Sequence, residues 1–409
     1  MNESTNYDES LVGAIELPEI LICEDGSKVS DSIQWLSHRR PEILKLFESQ
    51  VYGKAPSTDL AIRHKVVFTD TDALNSLAIR QEIYIFVGDD KDGTRIDLQV
   101  YIPKDSVLPV PLFLGCNFNG NHAIDADSKI PINQRWMRNS VDEKSVVNHH
   151  ATEASRGSES SRWPLEMIIK QGFAVATFYY GDVEADHADG WKSGIRGQLL
   201  QARNSTEFAP NEWGAVAAWA WGLCRALDYL VTNPAVDSER VAVIGHSRLG
   251  KAAMWAGAMD TRFGLVISNN SGAGGISLAR RNFGEAISDL NKNFPHWFCG
   301  NYKSYNSQTE KLPVDMHQLA ALIAPRPLYI ASAVDDLWAD PRGEFLAGRY
   351  AEAAYTLFGK VGLGESEWPT VNHPVGEFIG YHIRSGKHGV TTYDWQQFIQ
   401  FASKHFRKP

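Results

Sequence analysis

A serine, an acid and a histidine in the right chain order could carry out nucleophilic acyl transfer. A serine hydroxyl is a poor nucleophile in water. Such chemistry therefore needs the serine held exposed, a base to take its proton, and hydrogen-bond donors aimed at the oxyanion that develops. The segment Val241-Ala-Val-Ile-Gly-His-Ser-Arg-Leu-Gly250 offers the first of these. Its apolar run ends at Gly245, turns at Ser247 and passes into a helical stretch, Lys251 to Ala256, with Gly250 in the first turn. Small residues on either side of Ser247 leave room for a strained strand-to-helix elbow. In the usual GxSxG elbow the second glycine comes two residues after the serine; here Leu249 stands there and Gly250 follows. The Arg248 N–H, at a helix N-terminus, can donate to the oxyanion, and the Arg248 guanidinium can add a charged donor. A plain surface arginine is the competing role, and the positive end of a helix is an awkward place for one. The second wall of the oxyanion site is expected in the loop Cys116 to His122, with the inward amide left open.

In folds that present serine on such an elbow, the triad follows the order serine, acid, histidine. The late histidines are His373, His382, His388 and His405. His388, in Gly386-Lys-His-Gly-Val390 just before a helix expected from Thr392, is the predicted base. His382 lies in a strand-like run, and His405 near the end of the last helix reads as a surface residue. The acid must orient the imidazole and stabilise its cation. Asp335, Asp336 and Asp340 follow the apolar run Leu328 to Ser332, where such folds place it. Asp336 is the first choice and Asp335 the second, while Asp340 also suits a helix cap.

Alternating runs at Ala61 to Phe68, Arg80 to Phe86 and Arg95 to Ile102 predict antiparallel strands with one wet face. Short, nearly all-apolar runs follow at Pro111 to Gly115, Phe173 to Phe178, Val241 to Ile244, Leu265 to Ser268 and Pro327 to Ser332. These suit parallel strands buried on both faces. Amphipathic stretches at Trp213 to Thr232, Arg248 to Met259, Gly343 to Leu357 and Tyr393 to His405 predict helices between and after them. The expected class is α/β: an α/β-hydrolase fold with a mostly parallel central sheet, antiparallel N-terminal strands, helices on both faces and insertions over the active site. Residues 1–17 read as a flexible tail, and 18–409 as a single catalytic domain with insertions near 119–162 and 184–211.

Composition narrows the function classes. A net charge of -9 argues against a phosphate-binding surface. No apolar stretch approaches the roughly 18 residues of a membrane span. The first ten residues are polar and acidic, unlike a secretory signal. Four scattered cysteines without a CxxC pair suggest neither a disulfide framework nor a metal site. The 12 Trp suit a sugar-handling protein, although aromatic residues serve cores as well.

Seven ordered blocks carry a resemblance. Gly245-His-Ser-Arg-Leu-Gly-Lys251, Ser268-Asn-Asn-Ser-Gly-Ala-Gly-Gly275, Phe283-Gly-Glu285, Asn293-Phe-Pro-His-Trp-Phe298, Leu312-Pro-Val-Asp-Met-His317, Trp338-Ala-Asp-Pro341 and Gly380-Tyr-His-Ile-Arg384 together resemble the bacterial branch of the glucuronoyl esterases, carbohydrate esterase family 15. The resemblance spans most of Arg40 to Trp395. It implies hydrolysis of esters between lignin alcohols and the 4-O-methyl-glucuronic acid branches of glucuronoxylan. By position it implies Ser247 as nucleophile, His388 as base and Arg248 as oxyanion helper. Lys251 and Glu285 would contact sugar hydroxyls, and Trp338 a hydroxyl or the ring. Without the resemblance, Lys251 reads as a surface residue, Glu285 as a salt-bridge partner and Trp338 as core.

Two positions depart from the family pattern. Many members place a glutamate as triad acid in the Ser268 block, where this chain has Asn270, so the negative charge falls to Asp336. Fungal members bracket the site with a disulfide, but the corresponding positions here are His246 and Gly389. The mechanism expected is a Ser247–His388–Asp336 acyl-enzyme cycle with no metal or organic cofactor. A glucuronate ester is the expected partner, with no nucleic acid, no membrane and a monomeric state; the resemblance implies a secreted or periplasmic location. Two competing readings are an acetyl-xylan or general carboxylesterase, and a catalytically impaired uronate-binding protein on the same scaffold, which Asn270 prompts.

Overall fold

The computed structural model describes residues 5–56, 60–88 and 93–407. By contacts the chain forms two compact units: Met1–Ala55 with Ala209–Ala217 and Ile244–Gly389, and Pro56–Phe208 with Ala218–Val243 and Val390–Pro409. The single domain expected over residues 18–409 is divided between these two units.

The second unit carries β1 (Ile62–Asp72), β2 (Ala78–Val87), β3 (Thr94–Pro103), β4 (Val110–Asn117), a short hairpin of β5 (Val146–Val147) and β6 (His150–Ala151), β7 (Ala174–Tyr179) and most of β8 (Val236–His246). Their order is β1-β2-β3-β7-β4-β8, with β5 and β6 apart. Pairing is antiparallel from β1 through β7 and parallel from β7 through β4 to β8. The predicted antiparallel entry and the switch to parallel strands are both present. β7 is buried along its whole length, as a two-faced apolar strand should be. The expectation of one wet face does not hold for the edge strand β1, whose side chains are exposed on both faces almost throughout. The 119–162 segment is held by its own bonds: His122 Nε2 meets Ser155 Oγ at 2.7 Å, and Arg156 donates to the carbonyls of Asp127 and Ile130 at 2.8 and 2.9 Å.

The first unit carries β9 (Leu265–Asn269), β10 (Leu328–Ala333), β11 (Val375–Gly376) and β12 (Ile379–Arg384). β9, β10 and β12 run parallel with every residue buried, and β11 is antiparallel at the edge. The predicted helix Arg248–Met259 forms with those bounds. Its run of Ala and Gly is required by close packing, since a Cβ on Gly257 would lie 2.4 Å from Val266 Cγ2. Beneath it Tyr52 stacks on Trp255 at 4.5 Å between ring centres, part of the unit's core with Trp35 and Phe47.

The N-terminal segment departs from the expected loose tail. Asn6 O accepts from Gly284 N at 2.9 Å, and Glu9 pairs with Arg281 at 2.6 Å. Polar composition marked it as unable to build a core of its own, but it has buried partners to bind. Among the described residues no helix is long and apolar enough to cross a membrane.

Candidate active site

All the site residues singled out in the sequence, apart from the Cys116–His122 loop, fall in the first unit. β8 ends at His246, and Ser247 adopts φ 57 and ψ −129 before the helix begins. A non-glycine residue with that backbone is strained, and the strain persists only where the surroundings over-determine it. Here they do. The Ser247 N–H donates to Asn269 O at 2.9 Å, and Ser247 O accepts from Gly250 N at 2.8 Å. A Cβ on Gly245 would stand 2.0 Å from Leu249 O, and one on Gly250 would stand 2.9 Å from Ser271 Cβ. The displaced second glycine is thus explained: in this elbow the tight approach falls at Gly250, and Leu249 is buried instead.

His388 Nδ1 and Asp336 Oδ2 lie 2.5 Å apart. The same Asp336 oxygen accepts from Asn270 Nδ2 at 3.0 Å. Asp336 is 6% exposed, whereas its neighbour Asp335 is exposed and its backbone N–H donates to Gly386 O at 3.1 Å. Asp340 caps the following helix, with Oδ1 accepting from Gly343 N at 3.0 Å. His382 is buried in β12 with Nδ1 3.0 Å from the Tyr329 hydroxyl, and His373 is exposed in a loop. His388 reaches the elbow by proximity: its ring centre is 4.4 Å from that of His246, the residue before the serine. His246 is held in turn by Asn269 Oδ1, 2.6 Å from its Nδ1.

The other three predicted site residues lie beyond the elbow, and the structure corrects what unaided sequence reading made of two of them. Lys251 is not a surface residue but 3% exposed, because one helical turn past Ser247 points it into the unit. Its Nζ donates to Ser271 O at 2.6 Å, Ala273 O at 2.5 Å and Glu285 Oε2 at 3.3 Å. Burial pushes its ammonium below the usual lysine range, and Glu285 draws it partly back. Glu285 is the salt-bridge partner expected of it. Trp338 is not core: it stays 38% exposed on the turn Leu337–Ala339, whose carbonyl at Trp338 accepts from Glu285 N at 2.9 Å. The Arg248 guanidinium lies over Trp297 at 4.9 Å and Phe294 at 5.5 Å, two rings stacked 3.7 Å apart.

Sequence reasoning missed two supports. Arg384, 3% exposed, donates to the carbonyls of Ser385, Lys387 and Gly389 at 2.9, 3.0 and 2.7 Å, and so holds the loop that carries His388. The signal was present as an arginine closing a strand that is buried throughout. Glu344 lies fully buried, Oε1 accepting from Gly272 N at 3.0 Å and Oε2 from Ser332 Oγ at 2.6 Å, and burial pushes its carboxyl up to about 8. A glutamate in the first turn of a helix is too ordinary to stand out.

The family model "Glucuronyl esterase, fungi" matches residues 158–359. A carbohydrate esterase, MZ0003, from an unknown prokaryotic organism is 45% identical over 403 residues, covering 98% of this chain and 92% of that protein. The structure of a glucuronoyl esterase from Solibacter usitatus is 45% identical, covers 98% of this chain and 100% of its own, and superposes with a TM-score of 0.92. The chain belongs to the glucuronoyl esterases of carbohydrate esterase family 15. A structure of a promiscuous esterase of this family from a marine bacterial metagenome is 43% identical, covers 98% and 100% of the two chains, and has a TM-score of 0.92. The fold is therefore the α/β-hydrolase fold of this family, as the order of elements indicated.

Proposed function

We propose that this protein hydrolyses esters of glucuronic acid and its 4-O-methyl form through an acyl-enzyme on Ser247. The observation that carries the reading is the 2.5 Å contact of His388 Nδ1 with buried Asp336, beside a serine held at φ 57. His388 Nε2 takes the Ser247 proton as Oγ attacks the uronate C6 carbonyl, and Asp336 stabilises the imidazolium. The Arg248 N–H and guanidinium face the negative charge on the carbonyl oxygen. The alcohol leaves with the proton from His388; water then enters, and the same groups release the uronic acid. Asn270 supplies no charge here but donates to Asp336, so a neutral residue at this position supports the relocated acid instead of replacing it.

Specificity lies in the acid half of the ester. Trp338, exposed on its turn, and Glu285 meet the sugar. Lys251 already commits its three donors, so a sugar hydroxyl reaches it only in place of the 3.3 Å contact with Glu285. The reading extends to a monomer acting outside the cytoplasm, where glucuronoxylan–lignin cross-links occur. The direct test is Ser247→Ala on benzyl glucuronate: turnover should fall by about 10⁶, and substantial retained turnover would remove the nucleophile assignment.

A broader esterase is the second reading, favoured by the promiscuous relative at 43% identity. It expects p-nitrophenyl acetate or methyl galacturonate to match or exceed methyl glucuronate in kcat/KM. Glucuronate specificity expects the opposite ranking.

A further inference from the structure

Residues 6–9 converge on the loop that carries Glu285 and on the residues that anchor the Trp338 turn. Gly284 N donates to Asn6 O at 2.9 Å, immediately before Glu285. The Tyr7 ring meets Phe283 edge-on, 6.2 Å between centres. Glu9 accepts from Arg281 at 2.6 Å and from Arg342 at 3.2 Å. Arg281 is buried, and its Nε donates to Asp340 Oδ2 at 2.9 Å, so the ionic chain from Glu9 ends on the residue that closes the Trp338 turn. Gly284 itself, at φ 64, sits so close to that turn that a Cβ would lie 2.5 Å from Leu337 O and Trp338 O. One short segment therefore contacts the Glu285 loop directly and reaches the Trp338 turn through Arg281 and Asp340.

The segment has a fixed shape of its own. Asp8 N donates to Asn6 Oδ1 at 2.8 Å and Ser10 N to Asp8 Oδ1 at 2.9 Å, two successive side-chain turns of which the first has Tyr7 at its centre. Tyr7 nevertheless remains 48% exposed, so it is held in place without being packed away. Its phenol, a neutral hydroxyl at ordinary pH, is pushed further above the usual range by partial burial and by the charges of Asp289 and Asp336. A half-exposed tyrosine on a rigid turn offers a ring face and a hydroxyl, the chemistry a pyranose recognises.

We propose that residues 6–9 form a strap completing the uronate pocket, with Tyr7 a specificity-determining contact to the sugar and Glu9 a positioning residue for the Trp338 turn. The inference rests on the reading of Glu285 and Trp338 as sugar contacts. Kinetics of Tyr7→Ala, Tyr7→Phe and Glu9→Gln on methyl glucuronate and on p-nitrophenyl acetate test it. Tyr7→Ala should raise KM for the glucuronate about tenfold, with kcat and the acetate reaction within about twofold of the parent. Tyr7→Phe should lose less, since the ring remains, and Glu9→Gln should raise the glucuronate KM alone. An unchanged KM in Tyr7→Ala overturns the strap, and so does an equal loss on both esters, which would mark a general effect on the fold or the triad. Calorimetric binding of methyl glucuronate to Ser247→Ala, with and without Tyr7→Ala, separates the two readings. Absent turnover in the parent with a Tyr7-dependent Kd sinks the proposed activity and keeps the strap. Sound turnover with a Kd indifferent to Tyr7 sinks the strap alone.

Discussion

The reacting end of the site and its sugar-facing end are built on opposite principles. Around Ser247 a few short contacts join a buried acid to a base that stays open to solvent: the Asp336 side chain is 5% exposed, while that of His388 is 43% exposed and is fixed at one nitrogen. Around Lys251 and Glu285 the side chains are 4% and 7% exposed, and the lysine's donors are committed to carbonyls and to its partner. A base that must pass a proton to an alcohol and then activate water needs access. A pocket that must discriminate one sugar gains from being ordered before the ligand arrives. Changes at the first end should therefore lower kcat for every ester, and changes at the second should raise KM for glucuronates alone.

The sharpest break in that division is Asp336→Asn. Losing the charge behind His388 should cut kcat by about 10⁴ on glucuronate and acetate esters alike, while Asp335→Asn, whose side chain is exposed and whose contact is through its backbone, should change little. Steady-state rates on both esters decide it, and the reverse ranking would move the acid by one residue. Arg384→Met comes next. It leaves three loop carbonyls near His388 without their donor, so kcat should fall roughly 10- to 100-fold on both esters and the melting temperature should drop, since each part-buried hydrogen bond lost contributes about 0.5–1.5 kcal/mol. A change in KM for glucuronate only would assign Arg384 to the wrong end.

At the sugar-facing end, Glu285→Gln should raise KM for methyl glucuronate about tenfold and spare p-nitrophenyl acetate. It should also lower the melting temperature, because Lys251 keeps its buried charge after its partner is gone. Adding Lys251→Met should restore much of the melting temperature without restoring uronate affinity. Parallel recovery of both would mean that Glu285 serves the fold and not the sugar.

The two ends also differed in how far the sequence disclosed them. The elbow is local: an apolar strand, small residues at fixed offsets and a helix place Ser247 within ten positions, and the Asp336 loop and His388 loop follow strands that apolar runs announce. Lys251 and Trp338 were opaque because their burial is set by partners distant in the chain. A lysine on an Ala-rich helix looks solvated until Ser271 and Ala273 turn their carbonyls toward it, and a tryptophan looks like core until its turn is seen to hold it out. The strand β1 misled in the same way, since period-two alternation says which residues share a face and not whether anything covers that face. Residues 6–9 were unreadable for the converse reason: a polar segment gives no sign that Arg281 and Gly284 await it.

Glu344 joins the two ends, one oxygen on Gly272 N beside the carbonyls that hold Lys251 and the other on Ser332 Oγ in the strand leading to Asp336. Burial raises its carboxyl from the ordinary 4.5 to about 8, with the charges of Asp336 and Asp340 adding to the rise. Between those two values the folded state binds the proton and the unfolded chain does not, so folding stability should fall as pH rises through the window, by up to about 1.4 kcal/mol per pH unit. Glu344→Gln keeps an acceptor for Gly272 and offers a donor to Ser332, so it should fold. Denaturant unfolding at pH 5, 6.5 and 8 should show the variant gaining on the parent at each step, the gap being smallest at pH 5. Activity at neutral pH should change by less than at any residue above, because the neutral carboxyl there already resembles an amide and places no second charge beside Asp336. Equal pH slopes in parent and variant would mean that Glu344 ionises no differently once buried, and that the link between the two ends is one of packing alone.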